Sequence, residues 1–346
     1  MAEQSPSIVD VAQRAGVSVA TASRVMSNSS YPVSERSRQK VLSAAAELHY
    51  TPNSLARGLR MQRSRLIAVM VGDNTDPYFA EITRGVEEVA RERGYLTIMC
   101  NAERDPEREL AYVRSLQDYR IDGIIFAGGG LNIPGHTEQL ELLAQQMRKR
   151  GGEIVTLSQH TLHVPSLQAD NFEGARSMTA RLLELGHRRI AFVAGPADLL
   201  VANARLQGYM SALVEAGLAV NPLWLVPGNF TRQGGEQAAL RIAHLPPDQQ
   251  PTAIFAANDE TAFGVLQTLA RLGRRVPADF SVCGFGDLPV AQLLKPALTS
   301  VHIPLRQLGR AGARRLLALL DNQEVPALEI LPTTIVERES TAALSL

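Results

Sequence analysis

From Leu66 onward the chain alternates short β-rich runs with amphipathic helical segments, and this alternation constrains the fold more than any other feature. Leu66–Gly72 reads as a strand, and Pro77–Gly94 as a helix with Phe79, Ile82, Val86 and Val89 on one face. Tyr95–Asn101, Gly123–Gly128 and Glu153–Leu157 are further strands, with helices between them. The pattern restarts with a helix over Phe172–Gly186. Strands at Arg189–Gly195, Ala253–Ala257 and Phe280–Gly284 follow, separated by helices at Ala202–Gly217 and Glu260–Leu272. Such alternation means parallel sheets covered on both faces by helices. Roughly a dozen units are too many for one ordinary sheet, so two α/β lobes are expected.

The first 65 residues belong to a different object. They carry nine Lys/Arg and four Asp/Glu, a surplus of +5 that the rest of the neutral chain offsets. Ser7-Ile8-Val9-Asp10 has the spacing of a capping box, with Ile8, Val11, Ala12 and Ala15 on one face behind it. Gly16 supplies the left-handed residue that ends this helix. Ser18 caps a second helix running to about Met26, with Ala22 and Val25 inward, and Asn28–Pro32 reads as a loop. Ser34 caps a third, whose expected apolar face is Val41, Leu42, Ala45 and Leu48. Two short helices joined by a glycine turn, with a third behind, describe a helix-turn-helix. The second helix of such a unit lies in the major groove, its first residues nearest the bases. Val19 and Ala20 suit a thymine methyl, whereas Ser18, Thr21, Ser23 and Arg24 suit the sugar-phosphate backbone. The bland alternative is a helical lobe with a solvated basic face. The segment Tyr50–Arg60 is barely two helical turns and contains Gly58, so it is marginal as a helix until something packs on it.

VDVAQRAGVSVATASRVMS and then VSERSRQKVLSAAAELHYTPNSLARGLR resemble the LacI/GalR family of bacterial transcription regulators. The likeness continues through DPYFAEITRGVEEVARERGY, AIFAANDETAFGVL and PALTSVHIP. It implies a body folded like periplasmic sugar-binding proteins, with three crossings between lobes. It also implies DNA contacts from Ser7 and Tyr31, and a hinge helix carrying Asn53, Ala56, Arg57 and Leu59. Leu59 would wedge into the minor groove at the centre of a palindrome. The implied plan is a head at 1–49, a hinge and linker at 50–63 and a body at 64–346. Its lobes would span about 64–163 with 298–324, and 164–297 with 325–346. With no leucine-heptad tail, a homodimer is expected rather than a tetramer.

A two-lobed α/β body offers a cleft at the carboxyl ends of its strands. Loops there carry Asp73, Asn74, Asp76, Tyr78 and Phe79, then Asn203 and Arg205, Asn258 and Asp259, and Phe285, Gly286 and Asp287. The family resemblance implies effector contacts from Tyr78, Phe79, Val201, Arg205, Phe230, Asn258 and Gly286. Asn74 and Asp259 suit helix N-caps as well as ligand contacts. Aromatics beside amides and an arginine suit a sugar or a sugar acid. Relatives that respond to sugars commonly carry carboxylates where Ser158 and Gly286 stand here, and Asp287 could swing into the second place. The chain has no GxGxxG after the first strand, no P-loop, no GxSxG elbow and no HExxH, and Gly128–Gly130 reads as a plain loop. His160 and His163 read as a polar loop, and the two cysteines form no CxxC pair, so neither cofactor nor metal is expected. The amino terminus shows no signal peptide, and the expected location is the cytoplasm, on the nucleoid when DNA is bound. The expected function is that of a repressor whose hold on a pseudo-palindromic operator is set by a small ligand in the cleft. The competing reading is a solute-binding protein for a sugar; the basic head decides against it.

Overall fold

The computed structural model describes residues 6–26, 31–50 and 63–344. The chain divides into two compact units, the first ending at Arg65. The first holds α1 (Ile8–Ala15), α2 (Val19–Met26) and α3 (Glu35–Glu47). The capping box is complete: the Asp10 N–H donates to Ser7 Oγ, and Asp10 Oδ2 accepts from the Ser7 N–H at 2.8 Å. Gly16 turns the chain at φ 63°, a region that costs an L side chain about 1–2 kcal/mol. The Thr21 and Ser37 N–H groups donate to Ser18 and Ser34, which start α2 and α3. The core of the unit is Val11, Ala12, Ala15, Ala22, Val25, Val41, Ala44 and Ala45. Leu42 departs from expectation and is 44% exposed. Helical spacing from Val41 brings Ala44 and Ala45 onto the buried stripe and leaves position 42 off it.

The second unit holds two six-stranded sheets. In chain order its elements are β1 (Leu66–Val71), α4 (Pro77–Glu92), β2 (Leu96–Asn101), α5 (Pro106–Asp118), β3 (Gly123–Phe126), α6 (His136–Lys149), β4 (Glu153–Thr156) and β5 (Ser166–Ala169). Next come α7 (Asn171–Glu184), β6 (Ile190–Val193), α8 (Leu200–Glu215), β7 (Leu225–Val226), α9 (Arg232–Ala243), β8 (Ala253–Ala256), α10 (Asp259–Arg271) and β9 (Ser281–Gly286). The last are β10 (Thr299–His302), α11 (Leu305–Leu320), β11 (Leu328–Leu331) and β12 (Thr334–Val336). The sheets run β11-β5-β4-β3-β1-β2 and β12-β10-β9-β8-β6-β7. All pairings are parallel except β10 with β12. Strands buried on both faces read as continuous apolar runs, and β1, β3, β6 and β8 do so.

The chain passes from one sheet to the other three times: after β5, after β10 and after β11. The crossings fall elsewhere than the sequence suggested. Thr299–His302 pairs with β9 and belongs to the second lobe, while Ser166–Ala169 and Leu328–Leu331 pair with each other in the first. Each of these three strands is only four residues long, too short for periodicity to mark, and the sheet each joins is settled by pairing with remote segments.

Candidate functional site: a cleft between two lobes and an exposed second helix

The carboxyl ends of β1, β3 and β4 in one lobe, and of β6, β8 and β9 in the other, open onto a common cleft. From the first lobe it receives Asp76, Tyr78, Phe79, Arg104, Phe126 and Ser158. Val201, Arg205, Phe230, Asn258, Asp259 and Phe285 enter from the second. Arg205, on α8, is 4% exposed. Its Nε donates to Asn171 Oδ1 at 2.8 Å and one Nη to the Ala257 carbonyl at 2.6 Å. The guanidinium lies 3.9 Å from the centre of the Phe285 ring, and burial pulls its pKa down to about 10. A buried, partly bonded arginine on an aromatic shelf is a site for a polar group with an apolar face.

Asn258 both caps and braces. Its Oδ1 accepts from the Thr261 N–H at the start of α10, while its Nδ2 donates to the Phe230 carbonyl. That bond helps hold Phe230 at φ 64°, with its ring in the cleft. Asp259 is not the cap. Its carboxylate accepts from the Leu288 N–H and the Ser300 hydroxyl, and burial raises it to about 6. Asp76 caps α4 in place of Asn74, accepting from the Tyr78 N–H, and burial raises it too, to about 6.

Three expected effector residues stand outside the cleft lining. Asn74 is exposed and pairs with Asn101. Gly286 sits at φ 132°, where an added Cβ would lie 3.6 Å from Asp259 Oδ2. Asp287 is turned away and held by Arg338 at 2.7 Å and His302 at 2.9 Å, so it does not swing into the cleft. Conversely, the glycine run read as a plain loop is part of the site. Gly128 and Gly129 line it, and a Cβ on Gly129 would meet Val201 at 2.9 Å. Beyond them Leu131 bridges to Leu199 of the other lobe, and the Leu200 N–H donates to the Gly130 carbonyl at 3.1 Å. His160 stands in the loop after β4, half-buried, where it packs on Phe126 at 5.1 Å and desolvation lowers it to about 4.

In the head, Val19 is 44% exposed and Ala20 is exposed beside it at the start of α2, although apolar side chains at a helix start gain nothing from water. The Ser18 and Thr21 hydroxyls are 2.9 Å apart. The Arg24 guanidinium stacks on the Tyr31 ring at 4.0 Å, which joins two of the residues expected at DNA. Ser7 is exposed, and Ser23 is half-buried. Asn53, Ala56, Arg57 and Leu59 lie outside the described residues.

Residues 7–53 match the bacterial regulatory proteins of the lacI family, and residues 179–341 match the periplasmic binding protein-like domain. The HTH-type transcriptional repressor CytR of Escherichia coli (strain K12) is 33% identical over 343 residues, covering 99% of this chain and 98% of the relative. The chain belongs to the LacI family. Among solved structures of the family, the transcriptional regulator CelR–cellobiose complex is 32% identical with a TM-score of 0.70, covering 97% of this chain and 99% of that one. The lac repressor dimer bound to operator and the anti-inducer ONPF is 28% identical with a TM-score of 0.85, covering 98% and 100%. As a LacI-family member the protein is a DNA-binding transcription regulator, not an enzyme, and the solute-binding reading falls. No described helix is long and apolar enough to cross a membrane.

Arg104, Glu109 and Phe126 line the cleft although the sequence did not single them out as ligand contacts, whereas Asp76 was among the loop residues it placed there. The one signal for Arg104 is its place in the loop that follows β2, at the same end of the sheet as Gly72 after β1 and Ser158 after β4.

Proposed function

We propose that this regulator is a repressor that grips a pseudo-palindromic operator as a homodimer, in the cytoplasm, and that a sugar or sugar acid in the cleft sets its grip. The base-reading residues are Val19 and Ala20, with Ser7, Ser18, Thr21, Ser23, Arg24 and Tyr31 on the sugar-phosphate backbone. Asn53, Ala56, Arg57 and Leu59 form the hinge at the centre of the site. The effector contacts are Tyr78, Phe79, Ser158, Val201, Arg205, Phe230 and Asn258. The observation that carries this reading is the buried Arg205, desolvated and stacked on Phe285 at the bottom of a cleft between two lobes. A relative solved with cellobiose and another solved on operator DNA support the two halves of it.

The test couples two measurements. Selection from random DNA should yield an inverted repeat, and a calorimetric sugar panel should find a ligand that shifts affinity for it. A selected site without two-fold symmetry would remove the dimeric grip. A ligand whose binding survives Val201→Phe would move the effector out of the cleft.

A further inference from the structure

Arg104 follows β2 in the first lobe, and Arg205 comes from α8 in the second. Both guanidinium groups lie within 6 Å of one ring, Phe230, at 5.9 and 5.5 Å from its centre. Arg104 is half-buried, and burial lowers its pKa. It makes no hydrogen bond or ion pair with any described residue. Arg205 is buried, and its second Nη likewise has no partner among them. The open N–H donors of both arginines are accessible from the cleft, where a charged acceptor in partly desolvated surroundings gains more than it would in bulk water.

The carboxylates of the cleft do not supply it. Both Asp259 oxygens are taken by Leu288 and Ser300, and Glu109 faces His136 at 3.3 Å. Asp76 is the acid that attracts both arginines, yet it forms no ion pair with either and one of its oxygens accepts from the Tyr78 N–H. Backbone strain marks the same place. Glu103, Arg104 and Phe230 all have φ between 54° and 64°, which a residue with a side chain adopts only when its surroundings hold it there.

We propose that Arg104 and Arg205 form a clamp, one arm from each lobe, that seats an anionic group of the effector, a carboxylate or a phosphate, beside Phe230. The proposal rests on the reading of the cleft as the effector site. It makes Arg104 a specificity-determining residue, because a neutral sugar leaves its donors open. It also ties ligand charge to closure, since the anion bonds to both lobes at once.

The experiment titrates glucose, gluconate and glucose 6-phosphate calorimetrically into the full chain and into Arg104→Gln, Arg91→Gln and Val201→Phe. Circular dichroism melting confirms that each variant is folded. At least one of the two anions should bind about ten-fold or more tighter than glucose, as charge-assisted pairing predicts. Which anion gains more separates carboxylate from phosphate. Arg104→Gln should erase the preference, and Arg91→Gln, on an exposed helix end, should keep it. Glucose binding as tightly as both anions, or a preference unchanged in Arg104→Gln, overturns the clamp while leaving the cleft as the effector site. Binding that survives Val201→Phe overturns the cleft reading and the clamp with it. If none of the three binds, inorganic phosphate is the bare probe, and the absence of Arg104-dependent thermal stabilisation by it overturns the clamp.

Discussion

Asp76 caps the helix that carries Tyr78 and Phe79, and it does so where burial penalises its own charge. Desolvation lifts its carboxyl to about 6 from an ordinary 3.8, with Glu260 adding to the rise and the Tyr78 N–H opposing it. The folded state therefore holds a proton that the unfolded chain has already released between about pH 4 and 6. Stability from this group is present below pH 4 and is lost as pH rises through 6. Asn caps as well as Asp but does not titrate. Asp76→Asn should flatten the fall in stability across that window by about 1–3 kcal/mol, read from urea midpoints at pH 4, 5, 6 and 7. An unchanged slope would assign the titration to Asp259. Gly286 makes a second residue-scale case. Its φ of 132° and the nearby Asp259 carboxylate mean that a sugar-type carboxylate cannot simply be restored there. Gly286→Asp should cost about 1–3 kcal/mol of stability and add no ligand affinity, measured by denaturation and calorimetry. A stable, tighter-binding variant would contradict that account. Arg205, Phe230 and Asn258 were legible in the sequence because each sits just past a strand, or on the first turns after one. Asp287 was misjudged because its partners, Arg338 and His302, come from distant parts of the chain.

At the scale of elements, the head was legible almost to the residue because its signals are local. A capping box, a glycine turn and two serine caps each act within four positions. The body was legible as two α/β lobes and in seven of its strands, but not in the boundaries of the lobes, since which strand joins which sheet is settled by pairing between remote segments. Helix packing was hidden for a similar reason. Where α4 crosses α11, a Cβ on Gly85 would lie 2.2 Å from the Arg306 carbonyl, and one on Gly309 2.1 Å from the Ile82 carbonyl. The two backbones touch through reciprocal glycines, a fact that neither position shows alone. Helix propensity favours Gly309→Ala by about 1 kcal/mol. The clash is with backbone, which cannot step aside as a flexible side chain could, and overpacking costs about 1–3 kcal/mol or more. The clash should win. A net loss of stability is expected in Gly309→Ala, with no comparable loss in Gly273→Ala near the end of α10, where only backbone conformation is at stake and nothing lies within 4 Å. Equal effects at the two positions would mean that strain, not close approach, governs both.

At the scale of the whole molecule, a neutral net charge conceals a basic head and an acidic remainder, the division of labour of a protein that reads DNA with one part and a small ligand with the other. The two activities belong to one chain, so their free energies are linked. If a ligand changes operator affinity by some factor, operator DNA must change ligand affinity by the same factor. On the function proposed above, the segment at 50–60 would set how large that factor is. It is short, and Gly58 weakens it as a helix by about 1 kcal/mol relative to alanine. Gly58→Ala should therefore raise affinity for the selected operator by up to about five-fold and shrink the ligand response, because less of the ordering is left for ligand to control. Leu59→Ala should do the opposite to affinity, lowering specific binding while leaving ligand affinity of the DNA-free protein unchanged. Fluorescence anisotropy on the selected operator, with and without the ligand found by calorimetry, measures both. A Gly58→Ala chain with the wild-type ligand response would place the coupling outside this segment, and reciprocal factors that disagree would mean that ligand and DNA do not act on one shared equilibrium.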